Sequence, residues 1–235
     1  MKELKNPTMK IIARIRSDFP EKFGIPRQAG LVPELVSKIV FEPEFRDPNA
    51  LRGIEEWTHL WLIWQFSEAI RDEWSPTVRP PRLGGNERVG VFATRSPFRP
   101  NPIGLSSVRL ERVAAEDGLG TVLYVSGADL MDGTPIYDIK PYLPFTDCRP
   151  EAFGGFAEAV KDKSLKVIFP DCLKNGLGEE TVTTLRELLA QDPRPSYQRE
   201  NTRVYGMDYG GIEVRFTVDG DALTVREVND TNRKP

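Results

Sequence analysis

The chain of 235 residues holds one histidine, His59, two cysteines, Cys148 and Cys172, and no C-x-x-C pair. That scarcity removes the zinc-finger and zinc-hydrolase patterns, which need several imidazole or thiolate ligands at fixed spacing. No metal is assigned, although composition leaves an all-oxygen magnesium site open. Two cysteines in loop-like sequence suit reduced thiols better than a disulfide framework. No G-x-G-x-x-G follows a strand and there is no Walker A sequence, so Rossmann-type cofactor binding and P-loop hydrolysis lack support. No apolar run approaches the roughly 20 residues of a membrane helix, and the N-terminus carries no signal-peptide core. A cytoplasmic protein without membrane contact is expected. His59, with no serine or cysteine motif beside it, reads as a structural histidine.

What is present is a soluble composition with an uneven charge. Apolar residues make up 39% and charged residues 29% of the chain, and the formal net charge is −3. Residues 79 to 99 hold five arginines and one acid, Glu87, a net +4 that leaves −7 on the rest. A basic patch on an acidic body fits a phosphate footprint, and equally a solvated loop whose arginines pair with carboxylates elsewhere.

Short runs rich in β-branched and aromatic residues, parted by Pro, Gly and Asp, predict strands around residues 9–15, 37–45, 58–66, 89–94, 107–114, 121–126 and 134–139. Such a series indicates a sandwich or barrel and not alternating βαβ units. The 58–66 run is apolar on both faces and is expected to be a central strand. Composition shifts after Pro150, and residues 152–178 match no element. Val182, Leu185, Leu188 and Leu189 then share one face of a helix that starts at Glu179-Glu180 and stops at Asp192-Pro193. Strand signals at 203–207, 212–218 and 222–228, the last two flanking Asp219-Gly220, complete a small α+β unit. The expected domains are 1–150 and 160–235.

The densest local signal is Phe92 to Ser106, with Pro97, Pro100 and Pro102 framing Arg95 and Arg99. Each proline fixes its own φ and biases the preceding residue toward extended geometry, giving a stiff loop that presents its arginines. An arginine held this way can grip a carboxylate or phosphate with two parallel hydrogen bonds. The alternative is an ordinary proline-rich connection.

This loop resembles the signature of the TsaA family, whose two-domain bacterial members are the TrmO-type tRNA methyltransferases. Asp132 to Pro144 (DGTPIYDIKPYLP) resembles the family's other long motif. Shorter agreements occur at Pro26 to Leu31, Arg52 to Trp61, Arg79 to Asn86 and Asp192 to Pro195. The resemblance implies a mainly β protein: an N-terminal β-barrel that binds S-adenosylmethionine, a smaller C-terminal α+β domain, and a homodimer. The implied reaction is methylation of N6 of N6-threonylcarbamoyladenosine at position 37, in the tRNA anticodon loop.

The resemblance also implies a site. Gln28, Ala29, Gly30, Phe66, Ser67, Arg95, Leu105, Asp129, Leu130, Met131 and Asp132 are expected to hold the cofactor. Arg95 is also a catalytic candidate. Arg95 or Arg99 is expected to pair with the threonyl carboxylate, since a carboxylate suits the arginine fork. Arg79 and Arg82 are cast on backbone phosphates, and Arg194 and Tyr197 on the anticodon loop by phosphate contact and stacking. Asp138 and Lys140 are either a proton-handling pair or a strand salt bridge. Two other readings stay open: a non-enzymatic RNA-binding barrel, and a methyltransferase for another nucleobase or a small molecule.

Overall fold

The computed structural model describes residues 8–80, 83, 87–160, 164–194, 200 and 202–231. Strands β1 (Ala13–Arg16), β2 (Val36–Phe41) and β3 (His59–Gln65) are followed by a two-residue pair, β4 (Thr77–Val78) and β5 (Val89–Gly90). Next come β6 (Ile103–Glu116), β7 (Gly120–Ser126), β8 (Pro135–Pro141) and the single turn α1 (Pro144–Asp147). The remainder is β9 (Lys166–Ile168), helix α2 (Glu179–Ala190), β10 (Tyr205–Tyr209), β11 (Ile212–Asp219) and β12 (Ala222–Asp230). Among the described residues no helix is long and apolar enough to cross a membrane.

Six strands close into an antiparallel barrel in the order β1-β2-β7-β6-β3-β8, with β8 pairing back on β1. Closure leaves no free edge, so β3 has two ladder partners, β6 and β8. Inward positions repeat every second residue: Ala13 and Ile15, Ile39 and Phe41, Leu60, Leu62 and Trp64, Leu123 and Val125 are all buried. Side chains fill the bore of so narrow a barrel, and a ligand must therefore bind at its mouth or outside. The 14-residue β6 serves two neighbours, pairing β3 through Arg109 and β7 beyond it, with a register shift at Leu110/Arg112 that lets it bend round the wall.

The second sheet runs β10-β11-β12-β9 and packs against α2. Leu185, Leu188 and Leu189 of α2 are buried against Met207, Val214, Phe216 and Leu223. Phe19, Val32 and Leu35, from the segment joining β1 to β2, belong to this same core. The chain thus leaves the barrel after β1, adds three apolar side chains to the later unit and returns. Gly24 lies at one close approach. It has φ of 92°, and a Cβ there would stand 2.5 Å from Met207 Cγ. Gly24→Ala is expected to cost about 2 kcal/mol through backbone strain and overpacking, read as a lower urea midpoint with an unchanged slope.

Three elements differ from the sequence expectation. The 89–94 run is a strand only at Val89–Gly90 and becomes a 3-10 turn at Val91–Ala93. The backbone amide and the hydroxyl of Thr94 both donate to Val91 O, at 3.2 and 2.9 Å, and this local bonding displaces a ladder. The strand expected from residue 107 begins at Ile103, inside the signature, directly after the loop's last proline, Pro102. Within the unassigned 152–178 segment, β9 adds to β12 in parallel. Asp192 is the one non-glycine with positive φ among the described residues, at 52°, and it turns the chain away from the end of α2.

Candidate active site

A cleft of about 1650 Å³ lies where the 22–29 segment, the end of β3, the 92–107 loop and strand, the turn after β7 and the C-terminal end of α2 converge. Its walls are largely apolar: Trp64, Phe66, Ile103, Leu105, Met131 and Leu188. Lys22, Arg27, Arg79, Arg95, Arg99 and Arg194 also line it, against the acids Glu68, Asp129 and Asp192.

The signature loop braces itself. Arg99 Nη1 donates to Thr94 O at 3.1 Å and to Ser96 O at 3.4 Å, while the Ser96 amide donates to Thr94 Oγ1 and the Phe98 amide to Ser96 Oγ. Phe98 carries the Arg71 guanidinium over its ring at 3.9 Å and the Lys22 ammonium at 5.5 Å. Arg95 is held differently: its Nη1 donates to Gln28 Oε1, and the Gln28 amide in turn donates to Arg27 O. The stiffness expected from the prolines is thus completed by a guanidinium on backbone carbonyls, leaving Arg95 as the arginine directed across the cleft.

A polar chain runs beneath the apolar wall. Trp64 Nε1 donates to Ser106 Oγ at 2.9 Å, and Ser106 Oγ donates to Asp129 Oδ1 at 2.6 Å. An indole N–H can only donate, which fixes the direction of both bonds and makes Asp129 Oδ1 an acceptor. Burial pushes the Asp129 carboxyl above its ordinary range; the Ser106 bond, backbone amides of Asp129 and Ala29, and the nearby Arg95 charge oppose that rise. Gly104 makes room for this arrangement, since a Cβ there would lie 2.2 Å from Trp64 Cε2. The same indole meets Phe66 at 4.2 Å between ring centroids, tilted by 60°.

The structure gathers Gln28, Ala29, Phe66, Ser67, Arg95, Leu105, Asp129, Met131, Arg79, Arg99 and Arg194 around the cleft. It does not bring the other candidates there. Gly30 is a turn residue whose amide donates to Gly127 O, Leu130 is buried in the barrel core, and Asp132 accepts from the Ser17 amide and pairs with Arg16. Asp138 and Lys140 form an ion pair of 2.8 Å with each other on the exposed side of β8, which is the strand salt bridge and places neither group in the cleft of this chain. Arg194 reaches the rim, but its fork is taken by both Asp192 oxygens at 2.8 and 3.0 Å and its side chain is 12% exposed. Arg82 and Tyr197 lie outside the described residues. His59 bonds Thr58 and tilts against Tyr142, away from the cleft.

Trp64, Gly104 and Ser106 escape the sequence reading, which takes the 58–66 run only as a central strand. One signal was available: the inward alternation of β6 puts a serine at a buried position, and a buried hydroxyl needs a partner. Arg27 is a further omission. It donates to Asp192 O and Arg194 O, both at 3.3 Å, tying the 26–30 segment to the end of α2.

The closed barrel, the apolar cleft at its side with the half-buried Asp129 carboxylate, and the arginine-bearing loop define a ligand-binding barrel protein with a second unit walling its site. Residues 14–148 match the tRNA-methyltransferase O N-terminal domain, and residues 162–231 match the TrmO C-terminal domain. The chain belongs to the tRNA-methyltransferase O family. It is 41% identical over 215 residues to the tRNA (adenine(37)-N6)-methyltransferase of Escherichia coli K12, covering 88% of this chain and 91% of that protein. It is 48% identical over 172 residues to the protein of the same name from Eikenella corrodens, covering 73% and 96% respectively. A crystal structure of TrmO from Pseudomonas aeruginosa superposes with a TM-score of 0.73 at 33% identity, over 95% of this chain and 99% of that one.

Proposed function

We propose that this chain transfers a methyl group from S-adenosylmethionine to N6 of adenosine 37 in tRNA, and that this adenosine carries an N6-threonylcarbamoyl group. The observation that carries the reading is the cleft itself, an apolar and aromatic pocket with the half-buried Asp129 carboxylate and a braced arginine loop at its rim. The donor set fits the cofactor: Trp64, Phe66 and Leu105 offer surface to an adenine, and the Asp129 carboxylate suits ribose hydroxyls or a positive sulfonium. Bound there, S-adenosylmethionine supplies an activated methyl group.

This chain's own residues hold and orient. Ser106 and Trp64 keep Asp129 Oδ1 as an acceptor, so the carboxylate meets the cofactor in one fixed rotamer. The apolar walls exclude water from the reacting atoms. With Asp138 and Lys140 paired to each other outside the cleft, orientation carries the rate in this reading. The same reading has the chain act in the cytoplasm as a homodimer, which sedimentation of the purified protein tests directly.

Arg99 is committed to two carbonyls of its own loop, whereas Arg95 is held by one hydrogen bond to Gln28, so the threonyl carboxylate is assigned to Arg95. Arg95→Lys is expected to weaken binding of a threonylcarbamoyl-bearing anticodon stem-loop about tenfold or more while leaving the unmodified stem-loop unchanged. An equal loss on both RNAs would remove that assignment. The reaction is tested by incubating the protein with labelled S-adenosylmethionine and tRNA carrying or lacking the threonylcarbamoyl group, then identifying nucleosides by mass. A methyl gain confined to the modified adenosine is the expected result; cofactor binding without methyl gain on either RNA would send the search to other acceptors.

A further inference from the structure

We infer that Trp74 and Phe92 form a stacking platform at the mouth of the cleft for the unpaired RNA bases that flank the nucleotide inserted into it. The inference rests on the proposed RNA-methylating function and adds a subsite to it. Phe92 is 72% exposed and Trp74 52% exposed, and their ring centroids lie 6.0 Å apart with planes tilted by 33°. Side chains of this size are ordinarily buried, and two side by side in water form a surface that calls for a partner.

The backbone holds both rings out on purpose-built supports. Trp74 precedes β4 and Phe92 follows β5, so the short antiparallel pair, Thr77 opposite Gly90 and Val78 opposite Val89, brings the two together. The Val91 amide donates to Pro76 O at 2.9 Å, the Val91 side chain is buried, and Thr94 ties back to Val91 O. Phe92 therefore projects from an anchored turn, and little conformational freedom is left to lose on binding.

The surroundings select the occupant. Phe92 lines the cleft together with Arg79, Arg95 and Arg99, and Arg71 covers the neighbouring Phe98. Aromatic faces next to guanidinium groups match a single strand, whose bases offer π faces and whose backbone offers phosphates. Asp72 and Glu73 precede Trp74 in the chain. They disfavour phosphate contact on that side, so what Trp74 supplies there is stacking.

The experiment uses the full-length protein, saturating S-adenosylhomocysteine, and an anticodon stem-loop with 2-aminopurine beside the target adenosine. Stacking on the platform is expected to quench the 2-aminopurine fluorescence on binding. The double variant Trp74→Ala/Phe92→Ala is expected to lose the added quench and to weaken RNA binding by about 5- to 150-fold for each base it no longer stacks. Trp74→Phe, which keeps an aromatic face, should stay within a few-fold of the native protein. Affinity for S-adenosylhomocysteine and the melting temperature are expected to be unchanged in both variants, which separates the platform from folding and from cofactor binding. Native protein that binds the stem-loop without quench, or a double variant with native RNA affinity, overturns the platform alone. Loss of RNA binding accompanied by a change in oligomeric state overturns it in favour of a protein contact. Native protein that binds no tRNA overturns the RNA reading and the platform with it.

Discussion

Replacing Gly104 with alanine is expected to cost about 3 kcal/mol and to lower cofactor affinity, a larger effect than that expected at Gly24. The new Cβ would fall 2.2 Å from Trp64 Cε2, a separation that real Cβ atoms do not reach, so the indole must move. Overpacking of this kind costs about 1–3 kcal/mol. The displaced ring also loses the Ser106 hydrogen bond, worth about 1 kcal/mol, and its contact with Phe66. For a chain of this length the sum corresponds to a melting temperature lower by roughly 6–12 °C. Because Gly104, Trp64 and Phe66 all line the cleft, calorimetric binding of S-adenosylhomocysteine should fall as well. A double variant identifies the cause: Trp64→Phe in the Gly104→Ala background relieves the collision, so the two changes together should cost less than their sum. Strict additivity would show that the indole was not the obstacle.

Asp129→Asn is expected to separate stability from function in opposite directions. Burial raises the Asp129 carboxyl above its ordinary value, so the folded chain holds this proton more tightly than the unfolded chain. The stability it confers is present in full below the unfolded carboxyl range and is lost as the pH climbs through the raised folded value. Above that folded value the ionised group is a liability to folding, so the melting temperature of the asparagine variant relative to the native protein should rise between pH 4 and pH 7. Its Oδ1 still accepts from Ser106, so the packing is kept. Binding is another matter. A charge-assisted contact is worth about 1.5–3 kcal/mol, so affinity for S-adenosylmethionine should drop roughly 10- to 150-fold, with a smaller loss for the uncharged thioether product. Calorimetry of both ligands at pH 7 and thermal melts at pH 4 and 7 test the pair of claims. Equal losses for cationic and neutral ligands would remove the carboxylate's proposed electrostatic role.

Much of the barrel was legible in the chain because a strand's inward residues repeat every two positions. The runs at 37–45, 58–66, 121–126 and 134–139 each overlap a strand of the closed sheet, and the face formed by Leu185, Leu188 and Leu189 is buried as its spacing requires. Periodicity says which residues turn inward, however, and not which strand lies beside which. The β1-β2-β7-β6-β3-β8 order depends on pairings between strands distant in the chain, and the closing pair of β8 with β1 joins residues more than a hundred positions apart. Valines and a phenylalanine at 89–92 also read as strand, and local bonds from Thr94 decided otherwise.

The site divides along the same line. Proline spacing by itself made the 97–102 loop stiff, and charge counting by itself made 79–99 basic, because both properties follow from residue type in any fold. Which arginine is available was settled only in three dimensions: Arg99 folds back on Thr94 and Ser96, Arg194 closes on Asp192, and Arg95 reaches Gln28 across the cleft. Asp129 gains its raised pKa from burial, and its fixed hydrogen-bond polarity from an indole 65 positions earlier acting through Ser106. Burial and donor direction are properties of packing, and no residue carries them alone. The sequence by itself determined strand pattern, loop stiffness and the sign of local charge; tertiary structure decided which of those charges and rings share a cleft, since only closure of the barrel and docking of α2 against the 19–35 segment bring them within reach.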